Sequence, residues 1–364
     1  MWIVGFLLVL GPLVTLHELG HYLVGRWFGV KADAFSIGFG KELTGWTDRR
    51  GTRWRIAAIP LGGYVQFQGD MNPASIPDAE AIAQASSEER EHSFHCKPLW
   101  QRALIVFAGP ATNILITVAI FASFNLAYGK LEANNSVARF AEVSAARDAG
   151  MKVGDRIIAI DGIETTDFSD IGPQVLMYPG KTIQIRFERD GKSQTLPVTI
   201  GESMETDQFG NQSRVGRLGV YSGEPTIVPV GAVESVTLAF DQSWGLVKMM
   251  VTGIGQILTG DRSVRELGGP LKIAKYSGEQ LSLGPEAFVS FAALISINLA
   301  FINLLPIPAL DGGHLAFYAA EAVRRKPVGP NSMEWAFRTG VALVLMLMVV
   351  VTVNDLVSLP IFGG

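Results

Sequence analysis

The sequence predicts a polytopic α-helical membrane protein with four transmembrane helices and a separate β-rich segment. Three observations predict this class. The 364-residue chain is 48% hydrophobic, four apolar stretches approach the ~20 residues that a helix needs to cross the hydrocarbon, and the segment between the second and third stretches is rich in turn signals. Because a net charge of −4 provides no basic surface, we expect no nucleic-acid partner.

The apolar stretches and the loops between them predict the topology. The four expected spans are Trp2–Val24, Ala103–Tyr128, Ala287–Leu305 and Ala336–Val353. The loop after the first span is rich in Arg and Lys, and the loop after the third span contains basic residues at 324–326. By the positive-inside rule both loops face the cytoplasm. The long segment between spans two and three, and both termini, are therefore expected outside.

The first span contains "HELGH" at 17–21. On a helix, His17 and His21 project from one face with Glu18 beside them. In this pattern two imidazoles bind zinc and the glutamate acts as a base toward water. Composition predicts roughly 0.004 chance matches to the pattern, and the alternative of histidines hydrogen-bonded in a helix bundle leaves the glutamate in lipid unexplained. Helix rise places His17 ~22 Å from the outer face, in the inner half of the membrane.

A catalytic zinc site usually has three protein ligands, so a third ligand must lie elsewhere in the chain. The stretch "NLLPIPALDGGH" at 303–314 ends the third span. Pro306 and Pro308 are expected to stop the helix, and Gly312 and Gly313 to keep the backbone irregular. Asp311 in this loop is suited as the third ligand, and a helix-capping role is the alternative.

A second histidine pair lies in "EREHSFHC" at 89–96. His92 and His95 follow an acidic stretch in a polar loop, which is interpreted as a solvated linker in preference to a metal site. The next residue, Cys96, is the only cysteine and can form no internal disulfide.

Residues 34–70, between the first two spans, combine glycines, the turn-like "TDRRGT" and β-branched and aromatic residues. This composition predicts hairpins. They are either an ordinary cytoplasmic hairpin or an edge strand that pairs with extended substrate. In span two, the small residues around Gly109 favour close helix packing, and packing is also the role expected of Asn113.

The external segment has two predicted parts. Its β-rich part contains short strand-like runs separated by "DG" and "PG" turns, namely Arg156–Ile160, Thr182–Glu188 and Gln194–Ile200. Its later part, Val233–Leu258, is apolar but interrupted by Glu234, Asp241 and Lys248. An amphipathic helix at the outer interface is favoured for this later part, and a fifth span is the alternative.

Five motifs carry a resemblance to a known family: "HELGH" at 17–21, "FSIGFG" at 35–40, "IPLGGYV" at 59–65, "KPLWQRALIVFAGPATN" at 97–113 and "NLLPIPALDGGH" at 303–314. In this order they resemble the site-2 proteases, which are intramembrane zinc metalloproteases, and within them the bacterial regulator-of-sigma-E branch that cleaves anti-sigma factors. The resemblance implies that His17, His21 and Asp311 bind Zn²⁺, that Glu18 is the general base and that Asn303 supports the transition state. Chemistry alone leaves Asn303 either as a donor to the oxyanion or as a tie between helices.

The resemblance also implies membrane-associated β-structure in the hairpin region and one periplasmic PDZ-like α/β domain over about Leu131–Gly201. A generic β-rich spacer is the alternative, and the best-known relatives with this layout carry two such domains in tandem. The expected domains are an N-terminal catalytic membrane half at 1–128, the PDZ-like domain at 129–205, a linker with an interfacial amphipathic helix at 206–285, and a C-terminal catalytic membrane half at 286–364.

The expected function is therefore zinc-dependent intramembrane proteolysis in the bacterial inner membrane, with the zinc nearer the cytoplasmic side. The expected partners are the lipid bilayer and single-span membrane proteins, such as anti-sigma factors pre-trimmed by another protease, or remnant signal peptides. Two other functional classes fit the sequence less well. A membrane metalloprotease with a downstream glutamate ligand is disfavoured by the "LDGG" loop, and a non-enzymatic PDZ scaffold or metal transporter has no need of Glu18 beside its metal.

Overall fold

The computed structural model describes residues 1–70, 84–206, 212–326 and 328–358, and the chain divides into two compact units. One unit combines Met1–Ile120 with Leu267–Gly364, and the other is Phe121–Glu266. The acidic linker predicted before His92 begins within residues 71–83, which lie outside the described residues.

Helices account for most of the first unit and also occur in the second. The helices are α1 (Trp2–Trp27), α2 (Ser87–His92), α3 (Leu99–Tyr128), α4 (Ala145–Asp148), α5 (Ile171–Val175), α6 (Ala232–Thr259), α7 (Pro270–Leu283), α8 (Pro285–Leu304), α9 (Asp311–Arg324) and α10 (Pro330–Ser358). Short 3₁₀ turns lie at Phe94–Cys96, Phe168–Asp170 and Val264–Glu266.

Four helices in the described part of the chain are long and apolar enough to cross a membrane. They cover Trp2–Trp27, Leu99–Tyr128, Pro285–Leu304 and Ser332–Val357, so the prediction of four spans is confirmed and the predicted segments lie within or beside these helices. The stretch Val233–Leu258 is helical, as α6, but is not among the four. Its exposed side chains Phe240, Trp244 and Val251 follow one face of the helix.

The strands are β1 (Ala32–Thr47), β2 (Arg53–Phe67), β3 (Lys130–Glu132), β4 (Arg139–Phe140), β5 (Arg156–Ile160), β6 (Ile163–Glu164), β7 (Thr182–Arg189), β8 (Lys192–Thr199), β9 (Gly201–Thr206), β10 (Gln212–Arg217), β11 (Val220–Tyr221) and β12 (Thr226–Val228). The three strand-like runs predicted from the sequence correspond to β5, β7 and β8. In the second unit these three strands and β6 form a four-stranded sheet in the order β6-β5-β7-β8. Its inward-facing side chains, such as those of Ile183, Ile185 and Phe187 on β7, alternate with exposed residues and form the core.

The strands β1 and β2 are antiparallel and pair with each other along more than one pair of segments. Next to the turn, residues 42–47 pair with residues 53–57, and farther away residues 32–37 pair with residues 63–67. Residues 34–37 also pair with residues 53–56. The two long strands therefore form a sheet of four segments, with residues 63–67 at one edge. Phe35 stacks on Trp54 at 4.5 Å between ring centroids, and Tyr22 of α1 packs edge-on against Trp54 at 5.2 Å.

The helix α7 packs between α1 and α10. Glycines allow its close approach to α1, since a Cβ at Gly5 would lie 2.7 Å from the carbonyl of Ser277. At its start, Asp355 of α10 accepts hydrogen bonds from the backbone N–H groups of Gly269 and Lys272, at 2.9 and 3.0 Å. These N–H groups have no partner within the helix, so Asp355 caps α7 from a distant part of the chain.

Candidate active site

Two helices and one loop bring three candidate ligands together. His17 and His21 lie one turn apart on α1, and Asp311 is the first residue of α9. His17 Nε2 lies 3.2 Å from His21 Nε2 and 3.2 Å from Asp311 Oδ2, and His21 Nε2 lies 3.6 Å from Asp311 Oδ1. The described residues contain one group of three or more His, Cys, Asp or Glu side chains with this proximity, and it consists of these three.

These distances fit a zinc ion. Nitrogen and oxygen ligands placed about 2.0–2.1 Å from a tetrahedral ion lie about 3.3 Å from one another, which is the spacing observed here. Asp311 Oδ2 is buried and has no hydrogen-bond partner, so a cation would satisfy it.

The ring nitrogen on the far side of His21 supports the same conclusion. His21 Nδ1 lies 2.8 Å from the carbonyl oxygen of Ile105. Because a carbonyl can only accept, His21 Nδ1 must carry the proton and donate. In the neutral ring, His21 Nε2 then presents a lone pair toward His17 and Asp311. A metal cation between them would satisfy this lone pair and the carboxylate together.

Glu18 lies beside the three ligands and is held by the β-sheet. The backbone N–H of Val65, in the edge segment of β2, faces the Glu18 carboxylate and favours its charged form. A Cβ at Gly63 would lie 3.4 Å from Glu18 Cγ, in ordinary contact. The sheet therefore fixes the carboxylate next to the metal centre.

The loop after α8 shapes the other side of the site. Asn303 lies in the last turn of α8 and lines the same cavity as Glu18 and the ligands. Leu310 occupies the N-cap of α9 and Asp311 is already helical, so the helix-capping interpretation of Asp311 is wrong. Ala309, two residues before Asp311, has a φ of +92°, which is rare for a residue with a side chain and often marks a functional site.

The glycines of "LDGG" act differently from the prediction. Gly312 and Gly313 belong to the regular first turn of α9 and do not break it. Their role is steric, because a Cβ at Gly312 would lie 2.3 Å from the carbonyl oxygen of Leu305, and a Cβ at Gly313 would lie 2.4 Å from that of Ile307. Lack of side chains lets α9 begin directly against the loop that precedes it.

The cavity at the site has a volume of about 400 Å³. Its polar lining comes from His17, Glu18, His21, Asn303, Asp311 and His314. Its apolar lining includes residues from the hairpin region and from α1, α3, α8 and α10. The site is therefore a mainly apolar chamber with a few convergent polar groups, which is typical of a binding site.

The second histidine pair has other partners. His92 Nδ1 donates to the carbonyl oxygen of Gly29 at 2.8 Å, and His95 Nε2 lies 2.8 Å from Asp70 Oδ1. Neither histidine belongs to the metal-like group. The prediction that they do not form the metal site is consistent with these contacts.

Sequence reasoning assigned a packing role to Gly109 and Asn113 of α3. The structure brings both against the histidines. A Cβ at Gly109 would lie 2.2 Å from His21 Nε2 and 2.7 Å from His17 Nε2, and the side-chain amide of Asn113 lies 3.1 Å from His17 Nδ1. A polar residue buried in an apolar span was the available signal for this role.

Comparisons with known proteins agree with this geometry. The sequence model of peptidase family M50 matches residues 5–347 of this chain. A protein of Agrobacterium fabrum, whose name assigns it provisionally to the zinc metalloproteases, is 43% identical over 362 residues, which cover 98% of this chain and 96% of that protein. Metalloprotease MmpA of Caulobacter vibrioides is 34% identical over 388 residues, which cover 99% of this chain and 96% of that protein.

One solved structure is also similar over part of the chain. It is the PDZ domain of the SdrC-like protein from Listeria monocytogenes, which covers 26% of this chain and 92% of its own, at 15% identity and a TM-score of 0.19. A TM-score this low does not establish a shared fold.

Four apolar helices and a two-histidine, one-carboxylate centre define a multi-pass membrane metalloprotease. The chain belongs to peptidase family M50, the family of the site-2 proteases. Its cofactor is zinc.

Proposed function

We propose that the protein is an intramembrane endopeptidase that cleaves single-span membrane proteins, with Glu18 as general base. The observation that carries the proposal is the position of Glu18, which a β-strand N–H holds beside three zinc-compatible donors in one apolar cavity. An acid–base residue must lie within reach of the water that it activates. A carboxylate fixed by Val65 next to the metal centre meets that requirement.

The chain's own residues divide the chemistry between them. A bound zinc ion supplies the Lewis acidity that activates water for attack on a peptide carbonyl. His17, His21 and Asp311 hold the ion, and Glu18 accepts the proton from the attacking water. The protonated Glu18 then donates to the leaving amine, which completes the cleavage.

Asn303 is proposed to assist the same step. It lines the same cavity as Glu18, at the end of α8. An amide N–H donated to the developing oxyanion would stabilise the transition state. The alternative role of a helix tie does not require Asn303 to face the cavity.

The edge of the β-sheet is proposed to bind the substrate backbone. Val65 directs its N–H away from β1 and toward Glu18. Backbone groups alternate along a strand, so Gly63 directs its N–H and carbonyl to the same side. An extended substrate could pair with this edge, which would present its peptide bonds beside the metal centre.

The orientation in the membrane is also proposed. Basic residues in the first and third loops support a cytoplasmic location for those loops. The site then lies in the cytoplasmic half of a bacterial inner membrane, and the β-rich unit is a periplasmic PDZ-like domain. With its apolar face, α6 would lie at the outer interface. Substrates of the anti-sigma type, trimmed beforehand by another protease, fit a catalytic site enclosed by helices.

Metal analysis and cleavage assays on purified variants test the proposed roles. Glu18→Gln should keep one zinc per chain and lose at least about 10²-fold in cleavage rate, because it removes the base and spares the ligands. His17→Ala and Asp311→Ala should lose zinc as well as activity. Turnover by Glu18→Gln at the wild-type rate would exclude Glu18 as the base, and full zinc occupancy in Asp311→Ala would exclude Asp311 as a ligand.

A further inference from the structure

One face of α3 touches both histidines of the metal centre. Ile105, Gly109 and Asn113 follow one another at intervals of four residues, so they lie along one side of the helix. The carbonyl oxygen of Ile105 accepts the Nδ1–H of His21 at 2.8 Å. Gly109 leaves room for both Nε2 atoms, and Asn113 lies at His17 Nδ1. The contacts to His21 and His17 therefore lie at Ile105 and Asn113, one helical turn on either side of Gly109.

Asn113 is fully buried, with no exposed surface. Its amide lies 3.1 Å from His17 Nδ1, and its Oδ1 has no hydrogen-bond partner. The oxygen and nitrogen of an amide are assigned from their hydrogen bonds. A half-turn of this amide places Oδ1 at His17 Nδ1 and gives a partner to an otherwise unsatisfied buried oxygen.

We propose that Asn113 is a positioning residue for the zinc site, whose amide oxygen accepts the Nδ1–H of His17. This hydrogen bond keeps the proton on Nδ1 and leaves the Nε2 lone pair free for the metal. It also fixes the rotation of the ring, as hydrogen bonds to the far nitrogen of a metal-binding histidine do. The inference rests on the proposed role of His17 as a zinc ligand.

The backbone around Asn113 is anchored independently of its side chain. The peptide carbonyl of Asn113 accepts hydrogen bonds from Thr117 Oγ1 at 3.0 Å and from Ser296 Oγ at 2.9 Å. Thr117 Oγ1 also lies 3.1 Å from the carbonyl oxygen of Ala293 on α8. These contacts join α3 to α8 without touching His17. They provide controls that separate helix packing from positioning of the ligand.

Zinc affinity distinguishes the proposed contact from a packing role. The affinity is measured by competition with a chelator, on the monodisperse fraction of detergent-purified full-length variants. Asn113→Leu keeps the approximate volume but removes the acceptor, and we expect a loss of about 10–100-fold in affinity. Asn113→Asp keeps an acceptor oxygen, so it should bind zinc more tightly than Asn113→Leu, by about 10–100-fold. Thr117→Val and Ser296→Ala should bind zinc like the wild type.

Several outcomes would overturn the proposal. Wild-type affinity in Asn113→Leu would show that the contact is not needed. Equal losses in Asn113→Leu and Asn113→Asp would mean that the amide nitrogen, and not the oxygen, faces the ring. Losses in Thr117→Val or Ser296→Ala as large as in Asn113→Leu would reduce the role to packing.

A second measurement needs no variant at Asn113. The chain has five histidines, so ¹⁵N labelling of histidine yields few ring signals, and His17→Gln identifies one of them. In the zinc-loaded protein, His17 should show a protonated Nδ1 and a metal-bound Nε2, and the reverse pattern would overturn the proposal. Full zinc affinity in His17→Gln would contradict the proposed function itself, whatever the role of Asn113.

Discussion

At the residue scale, the metal centre depends on the absence of a side chain at Gly109 of α3 as well as on the candidate ligands. The Nε2 atoms of His17 and His21 and the Asp311 carboxylate meet within 3.2–3.6 Å of one another. Gly109 lies directly against this group, where any larger residue would fill the space next to the ligands. A buried metal site has little freedom to relax, because close-packed interiors transmit such changes to their neighbours.

We therefore predict that Gly109→Ala abolishes or strongly weakens zinc binding. The added Cβ would lie 2.2 Å from His21 Nε2, far inside van der Waals contact, so the ring must leave its position. Gly11→Ala on α1 is the matched control, because a Cβ there meets no atom within 4 Å. Zinc per chain is measured by elemental analysis. Equal zinc contents in the two variants would show that the ligands adjust to Gly109→Ala without loss.

The sequence predicts the candidate ligands and the proposed base but not the residues that contact them. His17, Glu18 and His21 follow from a local spacing, and Asp311 follows from its place in a loop that must stop a span. The roles of Gly109 and Asn113 depend on which face of α3 meets α1. That choice is made by long-range packing, and its one local sign is the polar Asn113 within an apolar span.

At the element scale, two strands of the sheet in the second unit are joined by an ion pair with a buried carboxylate. Asp155, just before β5, accepts two hydrogen bonds from the guanidinium of Arg189 at the end of β7, both at 2.6 Å. It also accepts the backbone N–H of Lys152 at 2.7 Å. Burial alone would raise the pKa of Asp155, but the hydrogen bonds from Arg189 and Lys152 outweigh burial and hold that pKa below its usual range.

The lowered pKa predicts a loss of stability in acid. A carboxyl group whose pKa is lower in the folded state stabilises it above the unfolded value of about 3.9, and the contribution is lost as the pH falls through the folded pKa. We expect amide protection in β5 of the full-length protein, corrected for intrinsic exchange rates, to decrease below about pH 4. In Asp155→Asn, protection should be lower near neutral pH and depend less on pH.

Glu202→Gln is the control for this prediction. Glu202 pairs with Arg214 through two similar hydrogen bonds, at 2.6 and 2.8 Å, but this pair is exposed and should contribute little. Equal effects of the two substitutions on protection in β5 would contradict the structural role assigned to Asp155.

Some elements follow from sequence patterns and others do not. The strands β5, β7 and β8 lie where alternation and turn signals predict them. The hairpin region is predicted as β-structure, but the second use of residues 34–37 against residues 53–56 depends on a return of the chain that no turn signal encodes. The position of α7 depends in part on Asp355, 86 residues after Gly269 in the chain.

At the scale of the whole molecule, the depth of the site constrains the substrate. In the proposed topology, helix rise from Trp2 puts His17 ~22 Å from the outer face. A transmembrane helix satisfies its backbone groups internally, so its peptide carbonyls are shielded until several residues unwind. Unwinding in lipid leaves polar groups unpaired at a cost of several kcal/mol each unless the enzyme supplies partners. The Gly63–Val65 edge and Asn303, which line the cavity, are the partners that we propose.

We predict that helix-weakening residues in the inner half of the substrate span speed cleavage, and that a Leu-rich replacement slows it. The assay uses single-span substrates that differ only in the position of one Gly-Asn pair, scored by cleavage rate and by mass spectrometry of the cut site. Rates should be highest when the pair lies at the depth of His17, because the unwound peptide bonds then reach Glu18 and the ligands together. Equal rates across the set would contradict the need for unwinding. Cuts clustered in the outer half would contradict the proposed topology, because that topology puts His17 in the inner half of the membrane.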